Sequence, residues 1–148
     1  MSDGYSGYGA ILQIADATAT SNVTAVANIT RIAGPSTRRG VIEITTMDSA
    51  SACAEFKAGI VDIGELSFDL NYEGSTATAK ALWLRTLVTH TGHVFNLIIN
   101  DHTTSSSRSK ISCAGFFSGV DQGTPHDGKV DQTVTIKFTG VPTHTSHA

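Results

Sequence analysis

Charged residues are scarce in this chain, and neither sign dominates. Aspartate, glutamate, lysine and arginine make up 16% of the 148 residues, and the formal net charge at pH 7 is -3. Proteins that hold DNA or RNA neutralise phosphates with clustered lysine and arginine, and this composition offers few of either. The sequence therefore argues against a protein that binds nucleic acid.

Cysteine and long hydrophobic runs are also scarce. Cys53 and Cys113 are the two cysteines, and they do not form a C-x-x-C pair. We expect two reduced thiols, without a metal site or a redox motif. No apolar stretch is long enough to cross a bilayer, and the start, MSDGYSGYGA, lacks the basic and apolar regions of a secretion signal. The expectation is a chain made and kept in the cytosol, with no membrane partner.

Short motifs of catalysis and cofactor binding are missing too. Residues 115–119, GFFSG, do not match the G-x-S-x-G elbow of serine hydrolases, and the glycines near the start do not match a dinucleotide-binding loop. His90 with His93 and His144 with His147 have metal-ligand spacing, but no cysteine or carboxylate completes either pair. The sequence predicts no enzyme, no cofactor and no metal site.

Alternation of apolar and polar residues is what the chain has in abundance. In residues 65–72, ELSFDLNY, leucine, phenylalanine and tyrosine alternate with polar residues, as in a strand with one buried face. Similar β-branched stretches are bounded by Gly, Pro, Asn or Ser. This pattern predicts one mainly β domain over residues 1–148, an antiparallel sandwich or barrel. The other predicted strands cover residues 11–15, 23–32, 41–46, 93–100, 110–120 and 130–139.

The period changes after residue 74. Ser75 or Thr76 can cap a helix that runs to about residue 89, and Gly92 suits its C-terminal end. We therefore expect one helix beside the sheet. Its buried stripe would consist of Ala77, Ala81, Leu84 and Val88.

Four stretches of the sequence, taken in order, resemble the major tail tube protein of long-tailed bacteriophages. They are VANITRIAGP at 26–35, IEITTMDS at 42–49, EFKAG with DIGE within 55–65, and TVTIKFTG at 133–140. The resemblance covers most of the chain. The stretch at 62–65, DIGE, which comes before an alternating strand, carries the most weight.

The resemblance implies a small β-sandwich with one flanking helix. Six copies would join their inner strands into a ring, and stacked hexameric rings would form a hollow tube in the virion tail. The partners it implies are further copies of the chain, a tape measure protein, and tail terminator or distal tail proteins. DNA would pass through without specific binding during ejection, and the protein would be made in the host bacterial cytoplasm.

Three segments would have particular roles in such a tube. Residues 1–9 would be a flexible arm, and residues 141–148 an unstructured tail. Residues 46–63, the one long stretch without a strand or helix period, would be an extended loop that reaches an adjacent ring, because its apolar residues are poorly suited to water. An ordinary mobile surface loop is the alternative, favoured by Gly59 and Gly64. The loop residues assigned to this contact are Met47, Asp48, Phe56, Lys57, Gly59, Ile60 and Asp62.

The polar faces of the two clearest strands are candidates for the lining of the tube. A neutral or acidic lumen would repel phosphates and let DNA slide. The candidates are Glu65, Ser67, Asp69 and Asn71 on one strand and Thr133, Thr135, Lys137 and Thr139 on the other.

Two other functions stay open on the sequence. Tube subunits of contractile secretion or tail-like systems have a related β scaffold. A carbohydrate-binding β-sandwich module would present exposed aromatic residues, but the single tryptophan, Trp83, falls in the predicted helix. Neighbouring genes would separate the first alternative from a phage tail.

Overall fold

The structure of the chain is a computed structural model, and it describes residues 7–16, 23–72 and 92–146. Nine strands make up most of this part of the chain. Two three-residue 3-10 turns, Ala50–Ala52 and Ser105–Ser107, lie in loops. The strands are β1 (Ile11–Asp16), β2 (Val23–Ala25), β3 (Ile29–Ala33), β4 (Arg38–Glu43), β5 (Phe56–Asp62), β6 (Glu65–Asn71), β7 (His93–Ile98), β8 (Ser109–Gly123) and β9 (Asp131–Ser146).

Seven of the strands form one antiparallel sheet in the order β2-β1-β7-β8-β9-β6-β3. β4 and β5 pair only with each other, as a separate two-stranded sheet. The predicted mainly antiparallel β architecture is confirmed. Within the described residues the large sheet has two free edges, β2 and β3, so it is not a closed barrel.

The seven-stranded sheet curls until its two edges come close together. In a flat sheet, β2 and β3 would lie six strand spacings apart, about 29 Å. Residues 26–28 alone connect them, and so short a segment spans at most about 14 Å. The Val26 amide donates to the carbonyl of Leu12 in β1 (2.9 Å), and the Asn28 carbonyl accepts from the amide of Asn71 at the end of β6 (3.0 Å). The chain thus crosses from one end of the sheet to the other within three residues.

The sequence predicted one strand over residues 23–32, and the crossing divides it into β2 and β3. Asn28 has a φ of 60°, which lies in the left-handed region and interrupts a strand. Asparagine is one of the few residues that adopt this conformation at low cost. The break is therefore a local backbone event that alternation alone does not reveal.

The core fills the concave side of the curled sheet. Leu66, Phe68 and Leu70 of β6 are buried, and the alternation predicted for this strand is confirmed. Leu12 of β1 and Leu66 line the same small apolar cavity, although three strands separate β1 from β6 in the sheet. The core cluster contains Leu12, Ile14, Val26, Ile63, Leu66, Phe68, Leu70, Phe95, Cys113, Phe117, Val134, Ile136 and Phe138.

The C-terminal segment differs from its prediction. We expected residues 141–148 to be unstructured, but β9 continues to Ser146. It pairs there with the start of β8, from Ser112 opposite Thr143 to Ser109 opposite Ser146. The pairing partner lies more than thirty residues away in sequence, so the polar composition of this segment gave no local signal of a strand. The predicted helix at 75–89 and residues 1–6 of the predicted arm lie outside the described residues.

A tight turn at residues 62–65 connects the β4–β5 hairpin to the large sheet. The Gly64 amide donates to Asp62 Oδ1 (3.0 Å), and Lys137 Nζ of β9 lies 3.2 Å from the same oxygen. The Gly64 carbonyl accepts from the Phe138 amide (3.2 Å). The Gly64 hydrogen bond, followed by the Lys137 contact, lowers the pKa of Asp62 below its ordinary value of 3.8. Asp62 and Gly64 of the DIGE stretch therefore have defined structural roles.

Gly64 tolerates no side chain. Its φ is +80°, and an added Cβ would lie 2.1 Å from the carbonyl oxygen of Ser36. We expect Gly64→Ala to lower the free energy of unfolding by about 2–4 kcal/mol, because the left-handed strain and the backbone clash add. Chemical denaturation measures this loss. Gly119→Ala is the control, since a Cβ at Gly119 meets no heavy atom within 4 Å. Equal stability of the two variants would contradict the role assigned to the turn.

The lowered pKa of Asp62 predicts a pH dependence of stability. A carboxylate whose pKa is lower in the folded chain stabilises it above the unfolded pKa, and this contribution disappears as the pH falls through the folded pKa. Asp62→Asn should therefore lower the free energy of unfolding at pH 7. Below about pH 4, the difference in free energy of unfolding between the variant and the parent should become smaller. Urea denaturation at several pH values tests this, with the loop variant Asp48→Asn as control. A pH-independent difference would refute the proposed ionic role.

Candidate assembly surface

The β4–β5 hairpin projects from the large sheet. Every side chain of β4 is exposed, and in β5 only Gly59 is half-buried. The strands pair from Arg38 opposite Asp62 to Glu43 opposite Phe56, and the Ile44 amide continues the ladder to the Glu55 carbonyl (2.9 Å). The six residue steps from Arg38 to Ile44 correspond to about 20 Å of extended strand. The hairpin is thus a narrow projection with a base at residues 38 and 62 and a tip at residues 44–55.

Hydrogen bonds within the tip hold its shape. The Thr46 amide donates to Ser49 Oγ (3.0 Å), and the Glu55 amide donates to Thr45 Oγ1 (2.9 Å). Ser51 has a positive φ of 60° inside the 3-10 turn. The predicted irregular loop at 46–63 is wrong for residues 56–62, which form β5. The sequence did not indicate this strand, because both of its faces are solvated and its residues do not alternate between apolar and polar.

Large apolar side chains cover the hairpin without being buried in this chain. Met47 at the tip and Ile60 on β5 are 104% and 91% exposed. Burying one such side chain contributes roughly 1.5–3 kcal/mol, so leaving several in water is costly. A concentration of exposed apolar residues is typical of an interaction surface. The group consists of Val41, Ile42, Ile44, Met47, Phe56, Ile60 and Val61.

The predicted loop residues occupy different parts of this projection. Met47 and Asp48 lie at the tip, and Phe56, Lys57 and Ile60 are exposed on β5. Gly59 faces Gly40 across the hairpin, where an added Cβ would lie 3.0 Å from the Gly40 carbonyl oxygen. Asp62 is at the base, in the turn described above. Gly59 and Asp62 therefore shape the hairpin, while the others are available for contact.

The eight predicted lumen candidates lie together on one face of two paired strands. The pairing of β6 with β9 places Glu65 opposite Lys137, and the Thr133 hydroxyl donates to Asp69 Oδ1 (2.7 Å). The alternate residues of both strands point into the core. The remaining candidates on this face are Ser67, which faces Thr135, together with Asn71 and Thr139.

Two residues at the borders of this polar face were missed in the sequence. Phe116 of β8 lies opposite Lys137 and is 45% exposed, and Arg31 of β3 lies opposite Asp69 and is exposed. Alternation within β8 and β3 indicates the face of the strand on which each side chain lies, but their position beside β6 and β9 follows only from the strand order. Among the β6 and β9 residues of the face, the single cation, Lys137, is paired with Asp62.

The described part of the chain has neither a metal-binding cluster nor a membrane-spanning helix. No group of three or more His, Cys, Asp or Glu side chains there could hold a metal ion. Within residues 7–16, 23–72 and 92–146, no helix is long and apolar enough to span a membrane.

No protein-family model matches the chain, and no curated protein matches it in sequence. Solved structures do match, over nearly its whole length. A chain from the tail of an empty gene transfer agent particle, refined with helical and C6 symmetry, has a TM-score of 0.72 at 16% identity. The match covers 97% of this chain and 100% of that one.

Two further similar structures come from a tail tube and from a baseplate. The chain of the SPP1 tail tube has a TM-score of 0.71 at 10% identity, over 97% of this chain and 80% of that one. A chain of the anti-feeding prophage baseplate, which was six-fold symmetrised, has a TM-score of 0.78 at 11% identity, over 99% of this chain and 98% of that one. The chain therefore has the fold of the SPP1 tail tube subunit and of subunits from these two particles.

Proposed function

We propose that this chain is a structural subunit that polymerises as stacked hexameric rings into the hollow tail tube of a phage-like particle. The observation that carries the proposal is the fold shared with the SPP1 tail tube chain over 97% of this chain. The C6 symmetry of the gene transfer agent tail supports six copies per ring. In this function the chain assembles with further copies of itself and catalyses no reaction.

The free edges of the curled sheet suit a ring. β2 and β3 each leave one row of backbone groups without a strand partner among the described residues, and such edges readily pair with another chain. One chain of this size fills its own interior, since a barrel of about eight strands has room only for side chains. Six copies that continue one another's sheets enclose a wider channel. The curled sheet of each copy then forms the wall.

The β4–β5 hairpin suits contact between rings. It extends about 20 Å from the domain, and its apolar side chains become buried only if another molecule covers them. Contacts that join different patches of identical subunits extend a filament when they do not close. We assign the inter-ring contact to the hairpin, with Met47, Asp48, Phe56, Lys57 and Ile60 at the interface and Gly59 and Asp62 in support.

The polar face of β6 and β9 suits a lumen. It consists of hydroxyl, amide and carboxylate groups, and its lysine is paired with a carboxylate. Such a surface has little attraction for phosphate, so DNA can pass without being held. The tube then conducts the genome during ejection and recognises no sequence.

As a tail subunit, the protein is made in the host bacterial cytoplasm and then becomes part of the virion. A tube of defined length needs a tape measure protein inside it and terminator or distal tail proteins at its ends. We propose these as partners, together with further copies of the chain.

A tube subunit of a contractile injection system is the second candidate. A chain from the sheath/tube terminator of an extracellular contractile injection system favours it, with a TM-score of 0.72 at 8% identity over 99% of both chains. The genes beside this one separate the two functions, because a contractile system requires a sheath protein and a long flexible tail does not.

Electron microscopy of the purified protein, combined with light scattering over a range of concentrations, tests the proposal. We expect small species at low concentration and hollow tubes at high concentration or after nucleation, because contacts between copies follow mass action. A protein that stays monomeric at every concentration and with the other tail components would refute the function.

Within the same experiment, Met47→Asp with Ile60→Asp should abolish tubes and leave the circular dichroism spectrum unchanged, since both side chains are exposed.

The matched control for the hairpin variant is Thr124→Asp with His126→Asp in the exposed β8–β9 turn, which adds the same two negative charges. This control should still form tubes. If it fails equally, the loss in the hairpin variant reflects added negative charge and the inter-ring role is refuted.

The lumen assignment predicts a salt-dependent ejection defect. Glu65→Lys with Asn71→Lys adds three positive charges per copy, two at Glu65 and one at Asn71, while sparing the Asp69–Thr133 hydrogen bond. A six-fold ring multiplies this charge, so DNA should adhere and ejection should slow until salt screens the contacts. Ejection kinetics of assembled particles measure the effect. Asp127→Lys with Thr124→Lys adds the same charge in the β8–β9 turn, and an equal defect there would contradict the assignment.

A further inference from the structure

An open groove of about 520 Å³ lies where the two ends of the curled sheet approach each other. β3, at the free edge of the sheet, forms one wall with Ile29, Arg31 and Ile32. The segment before β1, with Tyr8, and the end of β7, with Leu97 and Ile99, form the other. The four aliphatic side chains are half-buried.

One cation marks this apolar groove. Arg31 is exposed, and it forms no ion pair with any residue that the structure describes. It is the single charged side chain among the lining residues. Tyr8, which is 87% exposed, adds a large aromatic side chain at the rim. An occupant with matching chemistry would combine apolar side chains with negative charge.

The hairpin tip has this combination. Residues 44–55 contain Asp48 and Glu55 and no lysine or arginine, so the tip carries a local charge of two negative units, and Glu43 of β4 directly precedes it. Ile44 and Met47 supply apolar side chains that nothing in the chain covers. Two basic residues of the hairpin, Arg38 and Arg39, lie at the opposite end, at its base, and the third, Lys57, lies on β5 just beyond the tip.

The tip cannot reach the groove of its own chain. The hairpin begins at Arg38, shortly after β3 ends at Ala33, so its base adjoins the groove. Its paired strands carry the tip about 20 Å away from that base. A tip and a groove separated in this way meet only between different copies. Each copy then offers both partners of the contact, which propagates from copy to copy without a fixed end.

We propose that the groove lined by Tyr8, Ile29, Arg31, Ile32, Leu97 and Ile99 receives the β4–β5 hairpin tip of a second copy. This inference rests on the proposed function and names the receiving surface of the inter-ring contact. Arg31 meets the acidic tip, and the aliphatic side chains of the groove cover Ile44 and Met47.

Cross-linking between a cysteine in the groove and the native Cys53 of the tip tests the contact. Gly7 lines the groove, and a Cβ added there meets no heavy atom within 4 Å, so Gly7→Cys preserves the fold. Cys53 is exposed and Cys113 is buried. A short bismaleimide should link polymerised Gly7→Cys chains into a ladder of dimers, trimers and longer species. Gly119→Cys is the matched control, because its added Cβ is equally free and Gly119 lies outside the groove.

The charge of the groove is tested separately. Arg31→Glu should raise the concentration needed for polymerisation by about tenfold, because it places like charges together. Lys129→Glu, in the β8–β9 turn, makes the same charge change and should leave that concentration unchanged. Glu55→Arg combined with Arg31→Glu should recover part of the loss.

The outcomes separate this inference from the proposed function. If tubes form without a Gly7→Cys ladder, or if Gly119→Cys gives an equal ladder, the proposed groove contact is refuted and the proposed tail tube function stands. A link within one chain, or products that stop at dimers, overturns docking between successive copies. A ladder without tubes supports the groove contact and refutes the tail tube, whereas absence of both refutes both.

Discussion

The short crossing at residues 26–28 is the constraint on which the rest of the structure depends. Val26 is hydrogen-bonded to β1 and Asn28 to the end of β6, so three residues join opposite ends of a seven-stranded sheet. The sheet must curl to satisfy both bonds. The curl brings apolar side chains of β1 and β6 into one core, and it leaves the free edges β2 and β3 close together.

A second consequence is a division of the apolar residues between two uses. Those of the curled sheet are buried against one another and stabilise the single chain. Those of the β4–β5 hairpin are exposed, and burying them requires a second molecule. The turn at Asp62 and Gly64 connects the two parts through hydrogen bonds to β9, so the hairpin has a defined direction from the sheet. A rigid projection loses less conformational entropy on docking than a mobile loop of the same length does.

The same arrangement gives one chain several surfaces for contact with other molecules. The proposed groove and the hairpin tip are complementary surfaces on one chain, and the polar face of β6 and β9 borders the groove at Arg31, which lies opposite Asp69. Arg31 and the β3 edge therefore belong to more than one proposed contact. The hairpin tip shares no residue with the groove or the polar face, so substitutions in the tip should leave those two surfaces intact.

The sequence by itself determined those features that depend on neighbouring residues. Alternation in residues 65–71 and 133–139 identified two strands, their buried faces and the eight polar candidates, because side chains in a strand point alternately to its two faces. The tertiary structure decided what depends on distant pairing. The division at Asn28 required a left-handed backbone, β5 is a strand with both faces in solvent, and β9 continues beyond residue 140 because β8 pairs with it. The groove combines residues 7–10, 29–34 and 97–99, which only the curl of the sheet brings together.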